Sequence, residues 1–184
     1  MFDHKGTQTM ETQRLILRKA TRKDGEAMFR NWASDPDVTK YLTWPTHDNV
    51  EVSKWVVDSW IQGYAKDDFY QWMIVPKDLG EPIGTISVVA KHEDAGELEL
   101  GYCIGKAWWH RGIMPETVAA VIDYLFSEVA AQRITARHDM NNPNSGAVMK
   151  KCGMHCEGIV PAGDRNNQGI CDVAHYAILR SDWK

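Results

Sequence analysis

Along this chain the apolar positions switch between a period of two and a period of about 3.6, and the switches mark out the elements. From Glu97 to Ile104 the sequence ELELGYCI alternates. Leu98, Leu100, Tyr102 and Ile104 fall on one face of a strand, and Glu97, Glu99, Gly101 and Cys103 on the other. Next, Val118, Val121, Ile122 and Leu125 recur at helical spacing. A helix opening at Pro115 is expected, because proline at the first helical position gives up an N–H that lacks a partner anyway, and Glu116 suits the positive helix end. Upstream, Thr12–Arg18 reads as a strand and Lys23–Ser34 as a helix capped by Thr21, with Met28, Phe29 and Trp32 as its apolar stripe. Asp35-Pro36-Asp37 breaks the chain, Val38–Pro45 is a loop, and Asn49–Lys66 is a second helix with Val52, Trp55, Val56 and Trp60 close to one face. Gln71–Pro76 and Pro82–Lys91 pair as a hairpin through Lys77–Glu81. Further on come a strand at Arg133–His138, a helix at Asn142–Cys152, an extended Met154–Val160, a polar turn at Gly163–Gly169 and a last strand at Cys171–Leu179.

This order predicts a mixed α/β domain. Adjacent hairpins imply antiparallel pairing, and the strand–helix–strand unit from Glu97 to His138 implies a parallel crossover. The length of 184 residues fits one domain, with residues 1–11 as a polar lead-in. A net charge of -4 argues against nucleic acid as the primary partner. No run is long and apolar enough for a bilayer, and the N-terminus lacks an apolar signal core, so no membrane association and a cytoplasmic setting are expected. Four cysteines form no CxxC pair. Cys152, His155 and Cys156 offer only three ligands across an element boundary, so no metal is expected.

Two stretches carry candidate chemistry. At His110–Met114 the backbone N–H groups of Gly112, Ile113 and Met114 would point out of a helix start beside His110 and Arg111, a natural seat for a phosphate-bearing ligand. An ordinary strand–loop–helix connection reads equally well from spacing alone. At Asp139–Gly153, Asn142 suits an N-cap, Pro143 the first helical position, Ser145 the first turn and Gly153 the stop, none of which requires a function. The first third is rich in aromatics. Trp32, Trp55 and Trp72 read as core, whereas Tyr41 and Trp44, on a loop, are candidates to line a pocket.

The run GYCIGKAWWHRGIMPETVAAVIDYLF resembles the acetyl-CoA-binding motif of the GNAT acetyltransferase superfamily, in the branch of the ribosomal-protein N-terminal acetyltransferases. Gly101, Tyr102, Trp109, Arg111, Gly112 and Glu116 carry the resemblance. Met114 departs from the Gly or Ala of the wider superfamily, but only its backbone N–H would be used. Asn142, Ser145, Lys151 and Gly153 match the second signature of that branch. The resemblance spans Thr12 to Trp183. It implies the GNAT fold: a mixed, mostly antiparallel sheet with a central splayed parallel strand pair and flanking helices.

By the same resemblance the chain is an acetyl-CoA-dependent N-acetyltransferase acting on a primary amine, either a protein N-terminus or a small molecule. Cys103, Ile104, His110, Arg111, Gly112, Ile113, Met114 and Asn142 would bind the co-substrate, and the Tyr41–Trp44 loop would border the acceptor. Ser145 would donate to the departing sulfur. Glu99, on the strand face of Cys103, is the choice for general base, directly or through a water, although a solvent-facing carboxylate is an equal reading. Glu97 lies farther away, and Asp172 and Tyr176 match family positions near the acceptor. Exposed aromatics in the first third leave room for a homodimer. The alternative is a non-catalytic acyl-CoA-binding domain. A serine hydrolase is disfavoured because His138 and Asp139 are sequence neighbours and Ser145 lacks a nucleophile elbow, and no P-loop supports nucleotide hydrolysis.

Overall fold

One eight-stranded sheet organises the computed structural model, which describes residues 2–183. In chain order the elements are β1 (Met10–Glu11), β2 (Leu15–Arg18), α1 (Asp24–Met28), α2 (Pro36–Thr39), α3 (Val50–Gly63), β3 (Gln71–Pro76), β4 (Gly84–His92), β5 (Glu97–Ile104), α4 (Ile113–Ser127), β6 (Arg133–Asp139), α5 (Pro143–Lys151), β7 (His155–Asn166) and β8 (Gly169–Leu179). The strands lie in the order β1-β2-β3-β4-β5-β6-β8-β7. Every neighbouring pair is antiparallel except β5–β6.

Strand alternation divides the core between the two sheet faces. Trp72, Ile74, Leu98 and Leu100 pack with Val118, Val121, Ile122 and Leu125 of α4. Met73 and Val75 pack on the opposite face with Met28 and Trp32, under α3 and its buried Val57. Burial of each large aliphatic side chain contributes about 1.5–3 kcal/mol, which is ample to dock α4. β3 is buried along its whole length because helices cover both of its faces.

The β5–β6 pairing is short. Residues Glu97–Leu100 pair with Arg133–Ala136 and the ladder stops there, although both strands run on. β5 stays attached to β4 as far as Ile104 and β6 to β8 as far as Asp139, so the two halves of the sheet part between these strands and open a gap.

Some local expectations shift. α4 begins at Ile113, two residues before Pro115, because Gly112 adopts a left-handed conformation (φ 73) that turns the chain into the helix. Pro115 still occupies the first turn, where its missing N–H costs nothing. Trp55 is not core: it is 71% exposed, because the buried stripe of α3 runs through Ser53 and Val57 instead. Thr21 does not cap α1. Its N–H and hydroxyl both donate to Asp24, whose carboxylate also holds Arg18. The loop from Val38 begins with helical turn α2, capped by Asp35. The last hairpin extends to Asn166 and Gly169, leaving Asn167 and Gln168 as a tight tip, and bulges absorb Pro161–Gly163. The N-terminal lead-in is packed rather than loose: Phe2 and Thr7 are buried, and Gly6 O accepts from Tyr124 Oη at 2.7 Å.

Candidate active site

The geometry of the turn between β5 and α4 follows from its backbone. Trp109 Nε1 donates to Ile104 O (2.9 Å), folding the loop back on the strand end. His110 (φ 60) and Gly112 (φ 73) are both left-handed, flanking Arg111, a pattern that turns successive N–H groups toward one concave side. α4 then opens with N–H groups that have no preceding carbonyl to meet. A Cβ on Gly112 would find only Arg14 Nη2 nearby, at 3.5 Å, so the mouth of the turn is open.

Glu116 braces this turn from behind. Its carboxylate accepts from Thr12 Oγ1 (2.6 Å), Arg14 N (3.0 Å) and Arg14 Nε (2.6 Å), and Arg14 Nη1 donates to Arg111 O (2.9 Å). Burial pushes the Glu116 carboxyl up, but these donors outweigh it and hold the group below the usual carboxylate range.

From the turn, a cavity of about 560 Å³ runs along the β5–β6 gap to the first turn of α5. A second cavity, about 210 Å³, lies beyond it between the sheet, the Tyr41–Thr43 segment and the β7–β8 hairpin. Tyr41, Leu42, Tyr102, Asn142 and Ser145 line both and so mark the junction. Asn142 stands at the N-cap position of α5, yet its side chain makes no capping bond and remains available to the cavity. Ser145 Oγ donates to Tyr102 Oη (3.2 Å), while Tyr102 Oη donates to Ser145 O (3.1 Å). Burial pushes the Tyr102 hydroxyl far up, so it stays protonated.

Cys103 and Ile104 line the larger cavity. The Cys103 thiol faces Thr85 Oγ1 at 3.6 Å, and burial pushes its pKa up to about 11, so it is a poor nucleophile at neutral pH. His110, Arg111, Gly112, Ile113 and Met114 are gathered at the far end of the same cavity.

Glu99 lines the smaller cavity. Its carboxylate pairs with Arg137 Nε (3.2 Å), which Asp164 also meets at 3.3 Å. Asp139 adds a buried carboxylate there. Burial pushes it up, but the Asn141 N–H (2.8 Å) and Asn166 amide (2.7 Å) more than reverse that, so it is held below its ordinary value.

Tyr41 sits at the junction, but Trp44 lies outside both cavities, its ring 5.2 Å from His47 on the second core cluster. Glu97 is occupied by Arg133 (2.7 Å) at the paired end of β5. Asp172 stabilises the β7 bulge by accepting from Ala162 N (2.9 Å), and Tyr176 is buried with its ring 5.5 Å from His138. Among the described residues, no group of three or more His, Cys, Asp or Glu is placed to hold a metal ion. No helix among them is long and apolar enough to cross a membrane.

Sequence reasoning missed Tyr102 and Arg137 as site residues. Tyr102 sits on the apolar face of β5 and reads as a core residue. The available signal was its hydroxyl, which needs a partner when buried. Arg137 gave no local signal, since Asp164 reaches it from a distant hairpin.

A family model, the acetyltransferase (GNAT) domain, matches residues 14–155. The chain is 30% identical over 171 residues to the uncharacterized N-acetyltransferase YoaA of Bacillus subtilis (strain 168), covering 93% of this chain and 96% of the relative. A GNAT-family acetyltransferase from Bacillus anthracis superposes with a TM-score of 0.83 at 25% identity, covering 95% of this chain and 99% of that one. The fold is also that of RimL, a ribosomal L7/L12 α-N-protein acetyltransferase solved with coenzyme A (TM-score 0.82, 19% identity, 94% and 98% coverage). The chain belongs to the GNAT acetyltransferase family. It is an acetyl-CoA-dependent N-acetyltransferase, and the reading as a non-catalytic acyl-CoA-binding domain falls away.

Proposed function

We propose that acetyl transfer takes place at the junction of the two cavities, by direct attack of a primary amine in a ternary complex. The observation that carries this reading is the shared Tyr102–Ser145 pair, with an anion seat at one end of the site and carboxylates at the other. The pyrophosphate rests on the N–H groups of Gly112, Ile113 and Met114 beside His110 and Arg111. The pantetheine arm follows the strand gap past Cys103 and Ile104 to Asn142. The amine enters through the smaller cavity past Tyr41 and attacks the thioester carbon. A C–N bond forms, the C–S bond breaks, and the amine proton passes to Glu99 directly or through a water. The departing thiolate accepts the hydrogen bond that Ser145 Oγ gives to Tyr102 in the free enzyme, and takes its proton from solvent as the coenzyme leaves. Positioning of two substrates supplies most of the acceleration, and the polar pair at the sulfur adds to it.

The acceptor class follows the branch resemblance and the RimL neighbour: a protein N-terminus, with small amines as the second class. Four free thiols fit a reducing, cytoplasmic setting. Acetyl-CoA-dependent thiol release, measured against N-terminal peptides, polyamines, amino acids and aminoglycosides, is expected to rise with one acceptor class. Binding of acetyl-CoA with no stimulation by any acceptor would overturn the assignment of the smaller cavity.

A further inference from the structure

The smaller cavity has two walls that are distant in sequence. One is Tyr41, Leu42 and Thr43; the other is the β7–β8 hairpin, through Asp164, Asn166 and Cys171. One residue at the hairpin tip joins them. The Asn167 backbone N–H donates to Leu42 O (3.2 Å), and its side-chain Nδ2 donates to both Thr39 O and Trp44 O, each at 2.8 Å. Both hydrogens of the amide are therefore spent, one at each end of the Tyr41–Thr43 segment.

The hairpin is itself anchored. Gln168 N donates to Asn166 Oδ1 (2.8 Å), which shapes the tip, and Asn166 Nδ2 donates to Asp139 Oδ2 (2.7 Å) at the end of β6. The opposing segment is too short to hold its own shape by regular structure. Its internal backbone bond is the turn from Leu42 N to Thr39 O (2.9 Å), and the carbonyls of Thr39, Leu42 and Trp44 all point to Asn167. A residue that holds another loop by two side-chain bonds and one backbone bond must itself be fixed, and the anchored hairpin fixes it.

We propose that Asn167 is a positioning residue that fixes the Tyr41–Thr43 wall against the hairpin and so sets the affinity and selectivity of the enzyme for its acceptor. The proposal rests on the assignment of the smaller cavity to the acceptor. Asn167 does not line either cavity, so it contacts neither substrate and acts through the wall it holds. The acetyl-CoA seat at His110–Met114 lies at the far end of the larger cavity, and Asn167 makes no bond to it.

Asn167→Asp is the sharpest test, because it keeps the size of the side chain while replacing two donated hydrogens with an oxygen that faces two carbonyls. The probes are an alanine-initiated peptide amide, spermine, a free amino acid and kanamycin, each with acetyl-CoA. For whichever probe wild type turns over best, Asn167→Asp is expected to raise acceptor KM by about 10- to 100-fold. Asn167→Ala should raise it less, and acetyl-CoA KM should stay within about twofold in both. The ratio of kcat/KM between the best and second-best probes should narrow, a change that loss of overall stability does not produce. Equal rises in both KM values, or an unchanged acceptor KM and ratio in Asn167→Asp, would overturn the proposal. If wild type itself turns over none of the probes while binding acetyl-CoA, the acceptor assignment fails and Asn167 loses its role with it. That outcome is distinguishable because the silence does not depend on the variant.

Discussion

The larger cavity takes most of its lining from one stretch, Tyr102 to Lys151, whereas the smaller is assembled from Tyr41–Thr43, β5, β6 and the β7–β8 hairpin. The first is shaped by local backbone geometry: a left-handed glycine, a helix start and the capped end of a splayed strand. The second is held by side chains that meet across the fold, Arg137 between Glu99 and Asp164, and the Asn167 amide on the carbonyls of Thr39 and Trp44. A site made of backbone tolerates side-chain drift, because its chemistry is supplied by N–H groups that nearly any residue carries. A site made of distant side chains can change its ligand by single substitutions. The division suits an enzyme family with one common co-substrate and varied acceptors.

The largest expected effect breaks the backbone half. Gly112→Asp puts a carboxylate into the mouth of the turn, where a like charge against phosphate costs several kcal/mol, so acetyl-CoA affinity should fall by at least about 1,000-fold. Gly112→Ala carries the same left-handed strain without the charge and should lose far less. Calorimetry on both variants separates the two causes; unchanged affinity in Gly112→Asp would refute the seat. At the junction, Ser145→Ala should lower kcat about 100-fold and leave the acetyl-CoA dissociation constant nearly unchanged. Wild-type turnover in that variant would remove Ser145 from the mechanism. The smallest effect is expected at the smaller cavity. Glu99→Gln should lower the rate by about tenfold, most at low pH, where few acceptor amines are already deprotonated. A pH–rate profile of the same shape as wild type would exclude Glu99 as the base.

The same division explains what the sequence showed. The turn, the α5 start and the β5 alternation are local, so the elements between residues 97 and 153 could be read from spacing and from the family motif. The antiparallel hairpins and the one parallel crossover followed from pairing rules. Pro115 misled by two residues because two signals for a helix start competed, and the left-handed Gly112 won. Trp55 misled because a stripe of large apolar residues lay beside the buried one, which passes through the small Ser53, hydrogen-bonded to His47 at 2.7 Å. Trp44 was chosen for being aromatic on a loop, yet its neighbours Leu42 and Thr43 face the cavity. Asn167 had no local signature at all. Its side-chain partners lie 123 and 128 residues away, and nothing short of the folded chain brings them together.

In the proposed reaction both substrates meet at the Tyr102–Ser145 junction and react there without an acetylated enzyme. Initial velocities measured while acetyl-CoA and the best acceptor are varied together test it most directly. Double-reciprocal lines that intersect are expected, as a ternary complex requires. Parallel lines would mean that an acetyl group is first parked on the protein, and would contradict it.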